Sequence, residues 1–427
     1  MKIHIRGGRL VDPKHGIDAE RDLFVAAGKV VGVGAPPDGF HANRTIEARG
    51  LVVAPGLVDL AARLREPGFE HKATLESEML AAVAGGVTTL VCPPDTDPPL
   101  DEPGLVAMLK HRARGLNLAH VLPLGALTAR LEGERLAEMD ELAEAGCVAF
   151  SQADAPIADT QVLWRALQYA ATFGFSVWLR PQDAFLGKNG VAHDGEVASR
   201  LGLAGIPPFA ETIAIATILA LVRVTGTRVH FCRLSTAEGV ALIAAAKRER
   251  LPVTCDVGVH HLHLSEMDLG WFDSHCHLVP PLRALRDRDA LRAGLAEGTV
   301  DAACSDHAPL DEDAKQIPFA ESDPGATGLE ILLPLALKWA VESRVALKEA
   351  LARVTADPAR VLGLDCGHLG VGQPADMCVF DPAAHVTVTR ETLKSQGKNT
   401  PFLGYELPGV VHFTLVSGHL VYERPAR

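Results

Sequence analysis

No stretch of this chain stays apolar for the roughly 18 residues that a membrane-spanning helix needs. Its hydrophobic segments are therefore expected to bury against one another, without a membrane partner. The opening Met1-Lys2-Ile3-His4-Ile5-Arg6-Gly7-Gly8 reads as a short strand and turn rather than a signal peptide. Positive charge is scarce: 41 Lys and Arg stand against 53 Asp and Glu, a formal net charge of −12. That balance argues against a nucleic-acid partner, which would need a basic face. No Cys-x-x-Cys pair occurs. The eight cysteines (Cys92, Cys147, Cys232, Cys255, Cys276, Cys304, Cys366, Cys378) are scattered, mostly in apolar strand-like runs, and read as buried free thiols of a cytoplasmic protein. Internal repeats and low-complexity tracts are also missing. A Gly-x-Gly does occur at Gly32-Val33-Gly34, but Pro36-Pro37 follows it and no third glycine or amphipathic helix opens there, so it is no dinucleotide loop.

What the chain has in quantity is hydrophobic sequence, 48% of 427 residues, enough for a large core. Residues 1–54 read as short strands with tight turns: Lys2–Ile5, Asp22–Ala26, Lys29–Val33 and Thr45–Ala48. Leu51–Leu60 is almost unbroken apolar sequence, as expected of one strand buried on both faces. Strand and helix patterns then alternate. Glu76–Ala84, Leu136–Ala145, Thr160–Phe173, Phe209–Val224 and Thr236–Glu249 have helical periodicity. Val87–Cys92, Val148–Phe150, Ser176–Leu179, Arg228–Cys232, Val253–Val257 and Ala302–Cys304 read as strands. Such βαβα order predicts an α/β protein whose parallel strands close into a (β/α)8 TIM barrel. Beyond about Gly363 strand-and-turn character returns. The expected organisation is a barrel over 55–365, with 1–54 and 366–427 forming a small β domain from both chain ends.

In a parallel α/β barrel the chemistry sits where strands end. Reading those places gives Ala54-Pro55-Gly56-Leu57-Val58-Asp59-Leu60 and Leu64-Arg65-Glu66-Pro67-Gly68, then Gly85-Gly86-Val87-Thr88-Thr89. Leu234-Ser235-Thr236-Ala237-Glu238, His260-His261-Leu262, Pro280-Pro281-Leu282-Arg283, Ser305-Asp306-His307-Ala308-Pro309 and Gly325–Glu330 follow in order. This series resembles the class I dihydroorotases of the amidohydrolase superfamily over nearly the whole chain. The resemblance implies a barrel with a small β domain, and a zinc site that activates water and polarises an amide carbonyl.

The resemblance also marks departures. The family's strand-one His-x-His corresponds to Ala61 and Arg63, its strand-four acidic residue or modified lysine to Gln152 or Ala153, and its strand-five and strand-six histidines to Arg180 and Arg233. Of the metal set only Asp306 remains. Guanidinium offers no lone pair and stays positive, so neither metal nor other cofactor is expected. Arg65 stands where the family binds the substrate carboxylate, while Asp95, Val279 and His277 replace polar partners of the substrate. Asp95 is expected to repel a substrate carboxylate, and Arg63, Arg180 and Arg233 to form an ion network with Asp306 and neighbouring carboxylates. Arg65 and Asp306 are thus expected to be vestigial positions.

On that basis the chain is expected to be a pseudoenzyme. The resemblance implies a non-catalytic, structural subunit needed for assembly of aspartate carbamoyltransferase in pyrimidine biosynthesis, a homodimer within a larger hetero-oligomer. Two alternatives stay open: an active dihydroorotase or cyclic amidohydrolase using non-standard ligands, and an anion-binding regulatory module. His260-His261-Leu262-His263 and His275-Cys276-His277 could offer paired metal donors if each lay on a strand. His307 reads as a buried structural histidine, and Cys232 and Cys304 as packed thiols.

Overall fold

Glycine 56 divides the long apolar run in two. Where one buried strand is expected, Val52–Pro55 pairs within the small β domain and Leu57–Asp59 opens the barrel. A Cβ on residue 56 would lie 2.1 Å from Thr88 Oγ1, so only glycine lets the chain pass this close while changing sheets. The computed structural model describes residues 1–425.

Eight parallel strands follow in barrel order: β1 Leu57–Asp59, β2 Val87–Cys92, β3 His120–Ala126, β4 Ala149–Ser151, β5 Ser176–Leu179, β6 Arg228–Phe231, β7 Val253–Gly258 and β8 Ala302–Cys304. Helices cover them outside, so a central strand such as β2 is buried at every residue. Leu60, Val91, Leu124, Ala149, Trp178, Ala302 and Cys304 fill the interior. The fold is the (β/α)8 barrel that the alternation predicts.

No ladder joins β8 to β1; residues just past the strand ends close the circle. The buried Asp59 carboxylate accepts from the Ser305 amide at 2.8 Å and from its hydroxyl. His307 donates its amide to the Ala61 carbonyl at 3.0 Å, and Arg63 donates to the His307 carbonyl at 2.9 Å. Closure therefore fixes the two segments that carry Arg63 and Asp306.

The small domain draws on both chain ends. Lys29–Val33, Leu23–Ala26, Ile3–Arg6 and Arg44–Glu47 form one sheet. His419–Glu423, Glu406–Val416, Met377–Thr387, Val52–Pro55, Arg9–Asp12 and Ile17–Glu20 form the other. They share a core that includes Ile3, Leu10, Leu23, Val53, Met377 and Leu415.

Candidate functional site at the barrel mouth

Four non-glycine residues just past strand ends have left-handed backbones: Arg65 (φ 64°), Ala153 (50°), Arg233 (55°) and Asp306 (46°). Each such conformation costs roughly 1–2 kcal/mol in an L-residue and persists only where its surroundings hold it. The side chains of Arg65, Arg233 and Asp306, and of Asp154 next to Ala153, thereby gather from the ends of β1, β6, β8 and β4.

A single carboxylate organises that space. Asp154 receives Arg63 Nη2 at 2.5 Å, Arg180 Nε at 2.7 Å and Arg233 Nη2 at 2.5 Å. Arg63 Nε also reaches Asp95 at 2.7 Å, and Arg233 Nη1 holds Asp306 Oδ1 at 2.9 Å. Arg63 Nη1 stands 3.6 Å from Asp306 Oδ1, too far for a hydrogen bond. Burial alone would raise Asp154, but Arg233, Arg63 and Arg180 hold it well below the usual carboxylate range. Burial outweighs the arginines at Asp306, whose carboxyl is raised.

Beside this cluster lies a cavity of about 270 Å³ lined by Arg63, Arg65, Lys72, Asp95, Asp154, Val279, Asp306 and Asp323 among others. Among the described residues the Arg65 guanidinium spends only Nε on protein, donating to the Pro309 carbonyl at 2.9 Å. Burial lowers its pKa to about 10, which leaves it cationic at neutral pH. Lys72 pairs with Asp323 at 2.6 Å. Five cations (Arg63, Arg65, Arg180, Arg233, Lys72) meet four carboxylates (Asp95, Asp154, Asp306, Asp323), a surplus of one positive charge suited to an anion.

The residues expected at a metal site do not make one. Ala61 contributes only its backbone; Gln152 turns away, accepting from Thr128 Oγ1 at 2.9 Å and donating to the Leu131 carbonyl at 2.8 Å. Among the described residues no group of three or more His, Cys, Asp or Glu could hold a metal ion. Three guanidiniums occupy the ligand positions, so the donor chemistry does not fit zinc.

Neither histidine run lies on a strand. Val259–Leu262 is a 3-10 turn rather than a strand, so its histidines diverge. His260, His261 and His263 meet the carbonyls of Thr327, Pro280 and Leu335 separately. His275 is paired with Asp273, whereas His277 is buried against Ser322 Oγ at 3.0 Å. His307 is buried and bonded to Glu78 at 2.6 Å. All eight cysteines are free, but Cys147, Cys232 and Cys366 are half-buried rather than buried. Burial pushes the Cys232 and Cys304 thiols well above their ordinary value, so neither is a poised nucleophile.

Asp95 also departs from its expected role: its charge is taken up by Arg63 instead of facing a ligand alone. Asp154 is the residue whose importance sequence reasoning missed. The signal was available, since three unpaired arginines converging on a barrel mouth require a carboxylate.

Comparison with known proteins sets this site in a family. The dihydro-orotase-like profile matches residues 50–239, and that of the amidohydrolase family matches 186–421. A dihydroorotase-like protein of Pseudomonas aeruginosa is 48% identical over 423 residues, covering 99% of this chain and all of its own length. A dihydroorotase of Geobacter sp. is 39% identical over 426 residues, with 99% and 100% covered. Among solved structures, the L-hydantoinase of Arthrobacter aurescens superposes with a TM-score of 0.86 at 26% identity, covering 99% of this chain and 96% of the other.

These relatives overturn the expectation of a protein that is not an enzyme, since full-length relatives are named for a hydrolytic activity and so is the structural neighbour. The physical error was to equate side chains unsuited to zinc with an absence of chemistry. A buried carboxylate among fixed guanidiniums still supplies a proton acceptor and a field for developing negative charge. The chain belongs to the dihydroorotase-like family of the amidohydrolase superfamily.

Proposed function

We propose that the protein binds a carboxylate-bearing cyclic amide of the dihydropyrimidine class at the barrel mouth and opens its ring using its own side chains. The observation that carries this reading is Arg65, a cation with one anchored nitrogen and the rest of its fork turned to a cavity of about 270 Å³. A bidentate carboxylate completes such a fork. Arg63 Nη1, which no described carboxylate claims within hydrogen-bond reach, donates to the ring carbonyl oxygen as negative charge develops there. Water adds to the carbonyl carbon, forming a C–O bond. Its proton passes to Asp306 Oδ2 and then to the ring nitrogen as the C–N bond breaks. Cyclic amide plus water gives the open carbamoyl acid, with nothing left over.

The test is turnover of dihydroorotate by chelator-treated protein, with calorimetric binding measured alongside. Turnover and binding in the parent, with Arg65→Leu weakening binding about 10- to 100-fold, support the reading. No turnover above a heat-denatured control, or binding indifferent to Arg65→Leu, overturns it.

A second reading concerns a partner and rests on the surface. Phe185 (74% exposed), Phe209 (52%) and Ile213 (45%) form an apolar face near a cavity between Thr160–Phe173 and Phe209–Thr225. We infer that it docks the catalytic chain of an aspartate carbamoyltransferase, the partner implied by the family resemblance. Tagged protein should co-purify with that chain and lose it on Phe185→Asp. Retention of the face by a second copy alone, or no capture, rejects this partner.

A further inference from the structure

His261 lies on the turn after β7 and is 2% exposed. Its Nε2 is 3.0 Å from the Pro280 carbonyl, which only accepts, so Nε2 carries the hydrogen and Nδ1 presents a lone pair. Nδ1 is buried, and among the described residues it has no hydrogen-bond partner. An orphaned buried acceptor costs about 1–3 kcal/mol, enough to demand a partner.

The neighbouring glycine shows where that partner fits. A Cβ on Gly258 would stand 3.3 Å from His261 Nδ1, 3.5 Å from Asp306 Cβ and 3.7 Å from Asp306 Oδ2. The imidazole lone pair and the carboxylate therefore border one gap, which exists because residue 258 lacks a side chain. Arg233 holds Oδ1 of the same carboxylate, and no described residue hydrogen-bonds Oδ2. Two acceptors facing one small gap call for a donor with two hydrogens and little volume. Water has both properties.

We propose that a buried water bridges His261 Nδ1 and Asp306 Oδ2, and that His261 is a positioning residue that fixes this carboxylate through it. The inference rests on the ring-opening reading for its consequence in turnover, but the water itself does not depend on that reading. Gly258 has φ −64° and ψ 131°, a conformation open to any residue, so Gly258→Ala fills the gap without backbone strain.

High-resolution crystal structures of the parent and of Gly258→Ala decide the water. Density within about 3.2 Å of both atoms in the parent, gone in Gly258→Ala, is the expected result. An empty gap, or a direct His261–Asp306 hydrogen bond, overturns the proposal even if turnover is present. Where turnover is measured, Gly258→Ala and His261→Phe should lower kcat at least about tenfold with KM nearly unchanged, because Arg65 is untouched. His261→Asn, whose amide oxygen can replace the Nδ1 lone pair, should recover most of the loss. Unchanged kcat in Gly258→Ala refutes the positioning role, and an inactive parent with the water present indicts the ring-opening reading instead.

Discussion

Asp154→Asn should destabilise the protein although it changes one atom. The carboxylate receives three arginines at 2.5–2.7 Å, and its loss leaves guanidiniums in a desolvated cluster with one fewer counter-charge. Removing one partner of a buried ion pair costs about 3–5 kcal/mol. The Asp154 side chain is 33% exposed, so solvent relieves part of this and about 3 kcal/mol is the working figure. A 427-residue chain gains about 0.9 kcal/mol per kelvin of unfolding entropy at its midpoint, so the melting temperature should fall about 3 °C. Differential scanning calorimetry at pH 7 measures it. Removing a cation in that background, by Arg180→Met, should recover part of the loss, because charge balance and not the amide group is the cause. A melting temperature that stays put in Asp154→Asn, or that falls further in the double variant, would refute the network's role.

Two further outcomes follow from the same chemistry. Burial lowers His260, His261, His263 and His277 from 6.5 to about 4. The folded values lie below the unfolded ones, so stability is full above pH 6.5 and drains away as pH falls towards 4, by about 3 kcal/mol for each ring as an upper figure. Urea midpoints that do not move between pH 7 and 4.5 would contradict this. Combining Ala61→His, Arg63→His, Arg180→His and Arg233→His with the resident Asp306 restores imidazole donors, and that variant should take up stoichiometric zinc by elemental analysis while the parent takes up none. Zinc seated at the mouth of the parent would count against the donor argument.

Barrel strands and the order of their motifs were readable because a strand buried on both faces has to be apolar along its length; Val87–Cys92, Ser176–Leu179 and Ala302–Cys304 match their observed limits. His120–Ala126 was hidden by Pro123 and Gly125, which mimic a turn even though the parallel ladder tolerates them there. The helices Pro103–Leu116, Leu285–Glu297 and Leu332–Ser343 were also unread: the second is so polar that few apolar positions mark its inner face. Gly56 escaped notice because hydropathy cannot show a change of sheet. What betrays the change is the contact with Thr88, 32 residues away in sequence.

At the site, residue types were legible and their pairing was not. Arg63, Arg180 and Arg233 could be placed at strand ends from sequence, yet the charge each meets depends on the left-handed turns at Ala153, Arg233 and Asp306, which sequence alone does not announce in residues other than glycine. Those turns bring Asp154 under three guanidiniums and leave Arg65 with a free fork. What the mouth can hold is decided by the charges present there and not by the metal ligands it lacks. Electrostatic balance carries more weight: across the ion cluster and the cavity beside it, five cations stand against four carboxylates, which favours one more negative charge, and a ligand carboxylate on Arg65 supplies it. Binding should accordingly weaken steeply in Arg65→Leu yet hold in Asp323→Asn, which widens the same positive surplus, and equal losses in both would show that shape rather than charge selects the ligand.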